Sequence, residues 1–178
     1  MNALSRRRWL NLGLLGAVSG LATLTWLEPG WAPVVSPLLN LVPAQIERIR
    51  VERRGQDTLA FERRGDQWRM TAPSAGLANQ VLINPILQLA EAHCPVQYPA
   101  GAIDLKMLRL DPPPLRLWLN DREIGFGGSA PTDDRRYLHI ADRVHLCPDH
   151  LYLLLTSSAA GFLAPVIEPL PPNARSGD

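Results

Sequence analysis

Val51-Glu52-Arg53-Arg54-Gly55 is echoed ten residues later by Phe61-Glu62-Arg63-Arg64-Gly65. Strands of equal length joined by equal turns repeat in this way, and each glycine, with Asp57 and Asp66 near it, supplies turn chemistry. The echo therefore predicts a β-meander with strands near 46–54, 58–64 and 67–72. Ile49 and Val51, Leu59 and Phe61, and Trp68 and Met70 alternate with Arg50 and Glu52, Glu62, and Gln67 and Arg69. One face of an antiparallel sheet is then core and the other wet. The repeated Arg and Glu read as cross-strand charge pairs on the wet face rather than as an anion-binding surface.

Pro73 ends the third strand because it cannot donate to a ladder. A helix follows, with Asn79 as its cap and an apolar stripe of Leu82, Ile86, Leu89, Ala90 and His93. Pro85 either kinks a helix begun at Asn79 or starts one capped by Asn84, and Cys94-Pro95 ends it. Beyond a loop containing Tyr98-Pro99 and an apolar segment from Ile103 to Leu110, Asp111-Pro112-Pro113-Pro114 forces an extended turn. Four more strands are expected: Leu115 to Leu119, Glu123 to Phe126, Arg136 to Ile140 and Val144 to Cys147. Their turns use Asn120-Asp121, Gly127-Gly128 and Ala141-Asp142-Arg143. Leu151 to Leu155 reads as a short helix, and Phe162 to Leu170 finishes the domain. Three strands and a helix, then four strands and a short helix, is an α+β class of antiparallel β-meanders.

Working toward the N-terminus, residues 28–45 form a proline-rich linker, with Pro29, Pro33, Pro37 and Pro43 preventing a helix. This connector lies either along a membrane boundary or on the domain. Before it, Arg6-Arg7-Arg8 precedes the uncharged run Trp9 to Leu27. Nineteen helical residues reach about 28 Å, close to the hydrocarbon thickness of a bilayer. Trp9 and Trp26 suit the headgroup boundary at the two ends, and the three arginines keep residues 1–8 in the cytoplasm. The expectation is a single-pass signal-anchor in a bacterial inner membrane. Its transmembrane helix is 9–27, its exported periplasmic domain 46–170 and its disordered tail 171–178. Ser5 to Asn11 also resembles a twin-arginine export signal. Because no small-x-small cleavage site follows Leu27, the uncleaved anchor is the main reading and the exported soluble protein the lesser one.

The chain has a formal charge of +1, and without Arg6, Arg7 and Arg8 it keeps 15 basic against 17 acidic residues, a charge of −2. That is no nucleic-acid footprint. It also gives no electrostatic attraction to acidic lipid, so the tether alone would hold the domain at the membrane.

The N-terminal arginines and single span resemble the family of domains of unknown function numbered 4340. Ile46 to Arg54, Gly65 to Met70 before Pro73, and Leu110-Asp111-Pro112-Pro113 resemble it too, as do Ile124-Gly125-Phe126-Gly127, Arg136-Tyr137 and Val144 to Leu146. Some members of that family look like auxiliary components of gliding-motility-type ABC transport systems. The resemblance implies a cell-envelope accessory role and carries over no catalytic residues.

Candidate chemistry is sparse. Cys94 and Cys147 are the only cysteines, and outside the cytoplasm they either form a disulfide or stay separately buried thiols. If Ala141-Asp142-Arg143 is a three-residue turn, His139 faces His145, with Cys147 on the same side. Two histidines and a thiol could hold a metal, but a site normally needs three or four ligands at fixed spacing with supporting hydrogen bonds, and nothing in the sequence guarantees His93, His150 or a carboxylate nearby. Gly125-Phe126-Gly127-Gly128 lacks a following helix to hold a phosphate and reads as a turn or bulge. No nucleophile elbow is present, and Asp104, Asp111, Asp133 and Asp134 fall where turns want aspartate. No catalytic, cofactor or metal residues are assigned. The main reading is a non-enzymatic envelope domain with a protein partner. The alternative is a binder of envelope lipid or glycan in the groove between meander and helix.

Overall fold

The computed structural model describes residues 13–20, 37–131 and 134–165. The chain divides into two compact units, Met1–Val34 and Val35–Asp178. In the first, residues 13–20 form a helix, α1, whose residues are all exposed. The rest of the expected 9–27 span, with Arg6, Arg7, Arg8, Trp9 and Trp26, lies outside the described residues. Among the described residues no helix is long and apolar enough to cross a membrane.

The second unit is built on one antiparallel sheet. Its strands are β1 (Arg48–Arg53), β2 (Leu59–Arg64), β3 (Gln67–Ala72), β4 (Gly76–Leu77), β5 (Val96–Pro99), β6 (Leu115–Leu119), β7 (Arg122–Ser129), β8 (Arg135–Ile140) and β9 (Arg143–Pro148). They lie in the order β4-β3-β2-β1-β6-β7-β8-β9-β5. Two meanders thus run outward from a shared seam, where β1 pairs with β6 and Val51 faces Leu117. Two helices, α2 (Gln80–Gln88) and α3 (His150–Leu155), follow the meanders, and the chain is α+β dominated by antiparallel sheet. The echo's alternation holds: Ile49 faces Phe61 and Val51 faces Leu59.

Ile49, Val51, Leu59, Phe61, Trp68, Met70, Leu115, Leu117, Ile124, Phe126 and Leu138 are buried in one cluster with Ile83 and Ile86 of α2 and Leu151 and Leu155 of α3. Phe162 closes it with its ring 5.6 Å from that of Phe61. Each such side chain stabilises the fold by roughly 1.5–3 kcal/mol when fully buried. Asn79 caps α2 by accepting from the Val81 amide at 3.1 Å, so Pro85 lies inside the helix rather than starting it. The stripe also takes in Ile83, Leu82 packs against the core partly buried, and His93 is exposed.

Of the two places open to the connector, its end lies on the domain: Leu38 and Leu39 are buried, and their amides donate to Ala92 and Ala90 at 2.8 and 3.0 Å. Two details differ from the sequence expectations. Two short edge strands, β4 and β5, were not expected; Tyr98, placed in a loop, pairs with Val144. Four residues ending in proline carry too little alternation to mark an edge strand. The β8–β9 turn is also one residue shorter than expected, because Ala141 takes a positive φ of 51° and Ile140 pairs with Arg143. A one-residue slip exchanges faces. His139 therefore faces Val144 while Leu138 faces His145, and the two histidines lie on opposite sides of the sheet.

Candidate functional site

The segment from Asp104 to Pro114 packs against β7. Its turn is closed by Arg109 N–H to Lys106 O at 3.0 Å and Leu110 N–H to Leu105 O at 2.7 Å, with Arg109 at φ 57°. The Gly128 amide donates to Leu108 O at 2.8 Å, fastening the loop to β7. A Cβ on Gly127 would lie 2.5 Å from Leu108 O and 2.8 Å from Leu110, and one on Gly125 would lie 3.4 Å from Pro113. These glycines are thus the floor on which the loop lies, and β7 continues through Gly127-Gly128 to Ser129 with an irregularity after Phe126. Leu110 and Val144 are buried outside the main cluster.

Across from this loop stands Arg136 of β8. Its Nε and Nη2 donate to the two Asp149 carboxylate oxygens at 2.6 and 2.8 Å, and Nη1 donates to Gly127 O. Its guanidinium lies 3.6 Å from the Tyr152 ring centre. Planar two-point pairing and stacking fix this side chain as a wall. Between wall and loop is a cleft of about 580 Å³, lined by Arg54, Lys106, Arg109, Asp111, Arg136 and Tyr152 among others. Asp149 already balances Arg136. Among the described residues Lys106 and Arg109 make no ion pair, and Arg54 only approaches Pro112 O at 3.5 Å. Three uncompensated cations thus meet one carboxylate, Asp111. The −2 charge of the chain without Arg6, Arg7 and Arg8 conceals this segregation, because charges distant in sequence converge here.

The open sheet face carries Arg48, Arg50, Glu62, Arg69 and Glu123, all exposed. Pairs there include Arg50 with Glu52, Arg48 with Asp121 at 3.5 Å and Arg116 with Glu123 at 3.3 Å. The last contact lacks hydrogen-bond alignment, so the buried Arg116 Nε has no hydrogen-bond partner among the described residues. Arg50 also lies 5.3 Å from the Trp118 ring centre. Exposed pairs of this kind contribute only about 0–1 kcal/mol each. Arg53 and Arg63 behave differently. Both fall on the helix-covered side, where Arg53 is buried and binds Asp57 O and Ser157 O, while Arg63 donates to Ala44 O at 2.9 Å. The signal was present in the echo: two residues beyond Val51 and Phe61, period two places an arginine inward.

Cys94, after α2, and Cys147, on β9, are joined with their sulfurs 2.01 Å apart and their Cα atoms 5.1 Å apart. His145 is half-buried; burial, with Arg143 adding to it, holds its pKa below the ordinary histidine value. Among the described residues no group of three or more His, Cys, Asp or Glu is placed to hold a metal. The space between α2 and the first meander is occupied by Ile83, Ile86, Phe61 and Phe162, all buried. Compared with protein-family models, curated proteins and solved structures, the chain matches none of them.

Proposed function

We propose that this chain is a membrane-anchored envelope domain that acts by contact with a protein partner, as an accessory component of a transport or cell-envelope complex. The observation that carries this reading is the open sheet face. One side of the sheet packs on α2 and α3, whereas the other presents an ordered array of Arg48, Arg50, Glu62, Arg69 and Glu123 around Trp118. A fixed pattern of both signs around an aromatic suits selective recognition more than it suits stability, since its ion pairs contribute little to folding. Arg6, Arg7, Arg8 and the Trp9–Leu27 run support the anchor, and the resemblance to the domains of unknown function numbered 4340 supports the accessory role. The twin-arginine alternative delivers the same face to the same compartment without the tether.

A photo-crosslinking residue placed at Glu62 or Arg69 in cells tests this. The expected result is a discrete adduct from both positions and none from Gln88, which is exposed on α2. Equal labelling from all three, or from none, would count against a contact role for the open face.

A further inference from the structure

We propose that the cleft between the Asp104–Pro114 loop and Arg136 is a binding site for a phosphoryl group. Its cations come from separate places: Arg54 follows β1, Lys106 and Arg109 sit on the loop, and Arg136 stands on β8. Bringing Arg54, Lys106 and Arg109 to one concavity with only Asp111 opposing them raises like-charge repulsion that folding leaves unrelieved. An anion relieves it.

One further observation points the same way. Arg136 is locked by Asp149, Gly127 O and Tyr152, so the wall is rigid before any ligand arrives, which lowers the entropy cost of binding.

The chemical class follows from the arrangement. One guanidinium satisfies a planar carboxylate by two-point pairing, whereas cations from three directions suit a tetrahedral anion with several charged oxygens. At about 580 Å³ the cleft has room for the group that carries the phosphoryl. That group is a phospholipid headgroup or a free phosphate, and the test separates them. The site stands independently of the anchor and of the open face.

The full-length chain in neutral detergent is titrated calorimetrically at constant ionic strength. The probes are inorganic phosphate, the phosphodiester sn-glycero-3-phosphoglycerol, and succinate as a carboxylate. The expected result is saturable one-site binding of a phosphoryl probe. Tighter binding of the diester identifies a headgroup site, and tighter binding of phosphate identifies a free-phosphate site. Lys106→Gln with Arg109→Asn should weaken binding about tenfold or more, equivalent to at least ~1.4 kcal/mol. Both side chains are exposed, and asparagine tolerates the left-handed φ, so this variant keeps its fold. Arg54→Gln, on another element, should weaken binding as well, while Arg50→Gln should not. No saturable binding of either phosphoryl probe, succinate binding as tightly as phosphate, or undiminished binding by the double variant would each overturn the proposal.

Discussion

The guanidinium of Arg53 donates to the main-chain oxygen of Ser157 at 2.6 Å, across 104 residues of sequence. Its other nitrogens reach Asp57 O at 3.0 and 2.6 Å, so a side chain only 8% exposed satisfies carbonyls at the end of the first hairpin and after α3. Burial lowers its pKa from the ordinary arginine value and Asp57 partly restores it.

Arg53→Met removes these donors and strands two carbonyls, at an expected cost of roughly 2–4 kcal/mol. Arg50→Met, on the open face, should cost less than about 1 kcal/mol. Urea midpoints with unchanged slopes would report both values. Equal losses would contradict the inward role of Arg53.

Gly127 and Gly128 should separate cleanly. A methyl at Gly127 meets Leu108 O and Leu110 at 2.5 and 2.8 Å, whereas one at Gly128 clears Leu108 O at 3.5 Å. Gly127→Ala should therefore destabilise by about 1–3 kcal/mol, as overpacking does, and Gly128→Ala by much less. Thermal melts of the two variants distinguish them.

His145 predicts an acid-side loss. Its folded pKa is depressed, so the unfolded chain takes up the proton first. Its contribution is present above the ordinary histidine pKa, near 6.5, and is lost as pH falls toward the lower folded value. Between pH 7.5 and pH 5 the wild-type melting temperature should fall by more than that of His145→Gln. Parallel curves would remove the histidine from the acid response.

The Cys94–Cys147 link closes a sequence separation of 53 residues, for which chain entropy gives roughly 4 kcal/mol. Reductant should lower the urea midpoint of wild type and leave Cys94→Ala unchanged. A midpoint insensitive to reductant would show that the link does not carry that stability.

Strand periodicity made both meanders legible, because Ile49, Val51, Leu59 and Phe61 alternate without interruption. The β8–β9 register was not legible, since Ala141-Asp142-Arg143 carries no glycine to mark where the left-handed residue falls; Ala141 adopts it against its own preference. Edge strand β5 is four residues long and is set by pairing with β9, which local pattern does not encode. The cleft was hidden for a related reason. Arg54, Lys106, Arg109 and Arg136 are spread over 83 positions, and only the loop's passage over Gly125 and Gly127 gathers them.

Membrane topology is tested most directly by protease treatment of intact cells and of spheroplasts that express the full-length chain. The expected result is protection in intact cells and digestion in spheroplasts down to a membrane-embedded N-terminal fragment containing Arg6 to Leu27. Full protection in spheroplasts, or digestion that leaves no membrane-bound fragment, would contradict an anchored domain outside the cytoplasm.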